Sequence, residues 1–157
     1  MKRIITAIVY NHAGVLNRII SVLNRRQFNI ESITVGEAEK DISHMTIVIQ
    51  IENLAEAEQV IKQIHKQIEV LKASDITEEP HIERELALIK IHAPPSMRTE
   101  IHSLILPFRA DIVDVGQKTL TIQVVGTQEK IRACIEILRP YGIKKIARTG
   151  ITSLKRG

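Results

Sequence analysis

Asn11, His12 and Gly14 stand between an apolar run at residues 4–9 and a set of apolar residues, Val15, Leu16, Ile19, Ile20 and Leu23, spaced to share one helix face. The spacing predicts a strand-to-helix turn, with Asn11 available to cap the helix and Gly14 where the helix begins. The first N–H groups of a helix have no partner inside it and carry the positive end of its dipole. A glycine there lets a ligand approach the main chain with no Cβ in the way. Such a turn offers a seat for a small anion, for example the carboxylate of an amino acid. The same residues also serve as a plain cap, so the turn alone leaves both readings open.

Nothing else in the chain carries the spacing of a catalyst. The six histidines (His12, His44, His65, His81, His92, His102) show no paired ligand spacing, and no metal site is expected. No glycine-rich phosphate loop, nucleophile elbow or CxxC pair occurs. Acylphosphatase chemistry would need an arginine within the loop at residues 11–14, and Arg18 lies one turn into the helix instead. Cys134 lies among Ile131, Ile135 and Leu138 at helical spacing, which reads as a buried structural thiol. These residues predict no catalytic residue on this chain.

The elements that must hold these residues repeat. Strands are expected at residues 4–9, 28–35, 45–51 and 69–76, and helices from 15 to 26 and after Asn53, where Glu56 three residues on completes a capping box. Leu54, Ala57, Val60, Ile61, Ile64 and Ile68 fall on one face of the second helix. Residues 36–41 read as a polar turn. The pattern breaks over 77–83 around Pro80 and then returns, with strands at 86–91, 112–115, 120–125 and 143–146. Its two helices follow Pro94-Pro95-Ser96 and Thr127. Two βαββαβ units in tandem predict an α+β fold of two ferredoxin-like sandwiches, with domains over 1–77 and 85–157 and a linker over 78–84. The tail beyond residue 148 reads as short, basic and frayed. Residues of the first strands are apolar on both faces (Ile4, Ile5, Ile8, Val9, then Ile47, Val48, Ile49), whereas a sheet with one wet face should alternate. The second face must therefore be covered, by another copy or by the chain's own second unit.

Composition narrows the class. Hydrophobic content of 44% and charged content of 25% over 157 residues are those of a globular protein. No apolar run approaches the roughly 20 residues of a membrane span. Met1-Lys2-Arg3 leads directly into a strand, so no leader is expected, and a single cysteine fits a reducing cytoplasm. The net charge of +4 falls entirely beyond residue 77, much of it in Lys144, Lys145, Arg148, Lys155 and Arg156. A basic end could meet nucleic acid, but the only aromatics, Tyr10, Phe28, Phe108 and Tyr141, provide no base-stacking platform. No nucleic-acid partner and no membrane partner are expected.

The sequence Asn11-His12-Ala13-Gly14-Val15-Leu16 with Arg18, followed by Phe28-Asn29-Ile30-Glu31-Ser32-Ile33-Thr34-Val35-Gly36, resembles the small, regulatory subunit of acetolactate synthase, which begins with an ACT domain. The resemblance continues through Arg84-Glu85-Leu86-Ala87-Leu88-Ile89-Lys90 and Ile146-Ala147-Arg148-Thr149-Gly150, and so covers nearly the whole chain. It implies a protein that binds and activates a separate catalytic subunit, on which thiamine diphosphate, Mg²⁺ and FAD reside. It also implies feedback by a branched-chain amino acid, valine before leucine or isoleucine, held between the ACT domains of a homodimer. The implied effector-binding residues are Asn11, Gly14, Val15 and Leu16 from one copy and Asn29 and Ile30 from the other. A free-standing ACT sensor acting on another enzyme is the alternative. One departure is structural. Gln27 occupies a position where many relatives carry glycine, so the turn entering the second strand is expected to differ.

Overall fold

Alternation and helical periodicity place six elements in the first unit: β1 (Lys2–Tyr10), α1 (Val15–Arg25), β2 (Asn29–Glu39), β3 (Ile42–Gln50), α2 (Leu54–His65) and β4 (Val70–Asp75). The computed structural model describes residues 1–157. Its strands form an antiparallel sheet in the order β2-β3-β1-β4, the ferredoxin-like arrangement, with both helices on one face. Ile5, Ala7 and Val9 of β1 and Met45, Ile47 and Ile49 of β3 turn toward that face and bury against Val15, Ile19, Leu23, Val60 and Ile64 of the helices. Burial of a side chain of this size stabilises by about 1.5–3 kcal/mol, so this row holds the helices down. Asn53 caps α2 by accepting from the Glu56 N–H at 3.1 Å, and the Glu56 carboxylate accepts from the Glu52 N–H at 2.8 Å. The Asn53 half of the capping box is present, while Glu56 reaches back to the residue before the cap instead of to Asn53 itself. Ile68, in contrast, is 90% exposed beyond the end of α2 and takes no part in its buried face.

The second unit repeats the order with β5 (His81–His92), α3 (Arg98–Ile105), β6 (Asp111–Val115), β7 (Thr119–Gly126), α4 (Gln128–Leu138) and β8 (Ile143–Arg148). Its sheet runs β6-β7-β5-β8. Ala87, Ile89 and Ile91 with Leu120, Ile122 and Val124 bury against Ile101, Ile105, Ile131, Ile135 and Leu138. Cys134 belongs to this core, where burial pushes its thiol pKa up and keeps it protonated. Thr127 caps α4 through the Lys130 N–H at 3.2 Å.

The two sequence blocks at the ends of this unit meet. Glu85, 4% exposed, accepts two bonds from the Arg148 guanidinium, at 2.8 and 3.2 Å. Beside it the Leu86 N–H donates to the Thr149 hydroxyl and the Thr149 N–H returns to the Leu86 carbonyl. A bidentate pair of this kind fixes register as well as energy.

Further expectations are corrected. Residues 36–41 are not a polar turn: β2 runs to Glu39, pairing Gly36 with His44 and Glu37 with Ser43, and only Lys40 and Asp41 turn. The strand escapes hydropathy because its outer half is exposed. Residues 78–84 are not an open linker, since β5 already starts at His81. The tail is not frayed. Residues 152–155 form β9 (Thr152–Lys155), pairing with β5, and the compact units are Met1–Ile82 with Ile151–Gly157, and Glu83–Gly150. The tail covers part of the second face of the first sheet: Ile151, fully buried, packs with Ile4, Val48 and Ile76, while Ile8 on the same face stays 38% exposed. Ser153 donates its N–H to the Thr46 hydroxyl at 3.2 Å and accepts from His44 Nε2 at 2.9 Å. The cap of α1, also corrected, belongs to the site.

Candidate functional site at the start of α1

Gly14 itself is the cap residue of α1, at φ 84° and ψ −6°, in the left-handed region. The Asn11 side chain does not cap the helix; no side chain does. The reason lies in the turn, where the Val15 N–H closes on the His12 carbonyl at 3.3 Å and the Asn11 N–H donates to the Asp41 carbonyl at 2.7 Å. Those two bonds draw Asn11 away from the helix axis, toward the tip of the β2–β3 hairpin. The N–H groups of Leu16 and Asn17 are left with no partner in the chain, the donors a bound carboxylate would use.

Around this turn stand groups that sequence spacing did not bring together. Arg18 lies over Gly14, with its Nη1 3.1 Å from where a Cβ on residue 14 would sit. The same guanidinium pairs with Glu69 at the start of the segment leading into β4. Tyr10 and His12 stack with ring centroids 5.4 Å apart and planes 13° from parallel. Arg18, four residues after Gly14 on the first helical turn, could be anticipated from spacing. Glu69, fifty-one residues further on, could not.

The six residues named from the sequence separate into two groups. Asn11, Gly14 and Leu16 are exposed at the end of β1 and the start of α1, with Leu16 40% open to solvent. Val15 is 3% exposed in the helix-facing core and presents no surface to a ligand in the single chain. Asn29 and Ile30 lie at the start of β2, where Asn29 pairs with Gln50, which in turn pairs with Lys2. Lys2 begins the strand that Tyr10 ends. Eight residue steps separate those ends, about 26 Å at strand rise. One chain therefore does not bring Asn29 and Ile30 to Gly14.

The turn before Asn29 also resolves. Gln27 takes φ 58°, and its N–H and that of Phe28 close on Asn24 and Leu23 at 3.0 and 3.3 Å. This is a left-handed helix termination of the kind glycine usually makes. Gln27 itself thus takes the left-handed conformation that glycine favours.

Sequence comparison decides the family. Residues 84–157 match the family described as the small subunit of acetolactate synthase, and residues 5–72 match the AHAS small subunit-like ACT domain. The chain belongs to the acetolactate synthase small-subunit family. It is 53% identical to the acetolactate synthase small subunit of Bacillus subtilis, over all of this chain and 92% of that protein. A probable acetolactate synthase small subunit of Archaeoglobus fulgidus is 49% identical over all of this chain and 98% of its own length. The crystal structure of the acetolactate synthase small subunit from Thermotoga maritima superposes with a TM-score of 0.90 at 33% identity, covering all of this chain and 98% of that one. The α+β fold with its ACT unit and the role of a regulatory subunit follow from this membership. No helix is long and apolar enough to cross a membrane, and no group of three or more His, Cys, Asp and Glu side chains could hold a metal ion.

Proposed function

We propose that this chain binds and activates the acetolactate synthase catalytic subunit, and that valine bound at the start of α1 reverses the activation. The observation that carries the sensing half is the glycine-capped turn. It leaves the Leu16 and Asn17 N–H groups open at the positive end of the helix, beneath the Arg18 guanidinium that Glu69 holds in place. A valine carboxylate would take those donors. The Asn11 side chain, unused as a cap, is free to accept from the ammonium, and exposed Leu16 offers apolar contact to the isopropyl group.

The separation of Asn29 and Ile30 supports a site shared by two ACT domains. β2 pairs only with β3, so its other edge is open. Two copies paired antiparallel along β2 would set the Asn29 end of one strand level with the Glu39 end of the other. The Glu39 end is the Tyr10 end of the sheet, through the pairs Glu39–Ile42 and Ile42–Tyr10. Such a homodimer carries Asn29 and Ile30 of each copy toward the Gly14 turn of its mate. Thiamine diphosphate, Mg²⁺ and FAD are assigned to the catalytic subunit, and this chain contributes no reacting group. Regulation then rests on linkage: valine limits activation by its differential affinity for the two states of the small subunit, commonly about 1–3 kcal/mol.

The test mixes the purified chain with the catalytic subunit from the same source and follows acetolactate formation from pyruvate, without and with valine. Stimulation that valine reverses is the expected result. Stimulation indifferent to valine, leucine and isoleucine removes the sensing half. No stimulation of an active catalytic subunit returns the chain to a free-standing ACT sensor.

A further inference from the structure

The second sheet has a face without helices, and its register orders charge across it. In one cross-strand row stand Asp114 of β6, Thr121 of β7, Lys90 of β5 and Lys145 of β8. The next row reads Asp111, Gln123, Leu88 and Ala147, and the one beyond it pairs Val125 with Leu86. Directly paired residues share a face, and these alternate with the buried Ile89, Ile91, Leu120 and Ile122. The β6 side of the face is thus acidic and the β5–β8 side basic. Leu88 and Val125 are 37% and 42% exposed between them. Asp111, Asp114, Lys90 and Lys145 are exposed and engage in no ion pair within the chain.

We propose that this face packs against the same face of a second copy of the chain, about a two-fold axis parallel to the strands and midway between β7 and β5. Such an axis keeps each row at its own level while exchanging left for right. It therefore sets Asp114 of one copy against Lys145 of the other, and Thr121 against Lys90. Val125 meets Leu86, reciprocally, near the axis. The other two-fold that lies in the plane of the sheet, perpendicular to the strands, would set aspartates on aspartates and lysines on lysines. Self-complementarity under one operator and self-repulsion under the other is what a two-fold interface requires. Sheets packed this way cross at about −30°, so register holds best close to the axis. Four strands at about 4.8 Å spacing give each copy a face of only a few hundred Å², at the low end for a stable contact. The pairing is therefore weak when it acts alone and sensitive to salt.

Zero-length carbodiimide cross-linking of the full chain tests it. Equal amounts of ¹⁵N-labelled and unlabelled protein are mixed, cross-linked, digested and read by mass spectrometry. The expected product is an Asp114–Lys145 peptide carrying one label of each kind. A link within one chain is excluded by the three strand spacings, about 14 Å, that separate the two residues in the same sheet. Asp114→Lys and Lys145→Asp should each lower the yield of dimeric product by about fivefold, and the double swap should restore most of it. Circular dichroism confirms that these surface variants fold. Absence of the mixed-label Asp114–Lys145 peptide overturns the proposal, as does a double swap that stays as low as the single variants. A link from Lys145 only to the catalytic subunit, in the mixed complex, also overturns it and gives the face to that partner.

Discussion

Gln27 holds a left-handed backbone at φ 58° in the link from α1 to β2, where a residue with a Cβ sits about 1–2 kcal/mol above glycine. Part of that difference is offset by the greater freedom glycine gains in the unfolded chain. Gln27→Gly should therefore raise stability by about 0.5–1 kcal/mol, read as a higher urea midpoint at unchanged slope. A second residue-scale prediction concerns Asp75. Burial works against its charge, but the Thr77 hydroxyl at 2.6 Å, the Arg3 Nε at 2.7 Å and the Thr77 N–H at 3.0 Å outweigh it and hold the carboxyl pKa below its ordinary 3.8. Its folded pKa is depressed, so the stability it contributes is present above the unfolded value and disappears as pH falls through the folded one. Asp75→Asn should cost about 1.5–3 kcal/mol at neutral pH, the range for hydrogen bonds to a charged group. Below about pH 4 the variant's stability should fall less steeply than the parent's. Equilibrium unfolding followed from pH 7 to pH 2 checks both statements.

At the scale of elements, apolar periodicity revealed the helix-facing rows, because burial on one face leaves a period in the sequence, and polar residues just before those periods, Asn53 and Thr127, revealed the caps of α2 and α4. It also revealed that the second face of the first sheet had to be covered. The cover itself was illegible. Ile151-Thr152-Ser153-Leu154-Lys155 is too short to show a period, and its partners Ile4, Val48 and Ile76 lie far away in sequence. The outer half of β2 was hidden for the opposite reason, having no buried side chain to announce it. Glu85 and Arg148 stood in two blocks that resemblance singled out, and only the fold shows that one holds the other. If the tail at residues 151–155 seals part of the first sheet, Ile151→Ala should destabilise the first unit by about 2–4 kcal/mol, as large-to-small changes in a core do. Native-state hydrogen exchange should show the loss in β1 and β3, while the protected amides of β7 and α4 keep their rates. Equal loss in β7 and α4 would mean that the tail's role is not confined to the unit it packs in.

The whole molecule poses a question that no single copy answers, because Gly14 and Asn29 stand at opposite ends of one sheet. The resemblance named both groups and implied that two copies share them, whereas residue types alone do not reveal which chain supplies each. If the effector site is shared, a two-fold dimer holds two sites, each built from the Gly14 turn of one copy and the β2 start of the other. Gly14→Asp places a carboxylate where the effector's own must go, and aspartate tolerates the left-handed region better than most residues, so the chain should fold. Asn29→Ala removes the other half of the site. Each variant alone should bind valine at least tenfold more weakly, for want of a charge-compatible seat or of a polar partner. Unfolded together and refolded as a mixture, the two should regain binding. In a mixed dimer one site carries both substitutions, and the other combines native Gly14 from one chain with native Asn29 from its mate. With random pairing, half the dimers are mixed, so calorimetry should find about a quarter of the parental sites at parental affinity. A site contained in one chain predicts none, since every chain in the mixture is damaged.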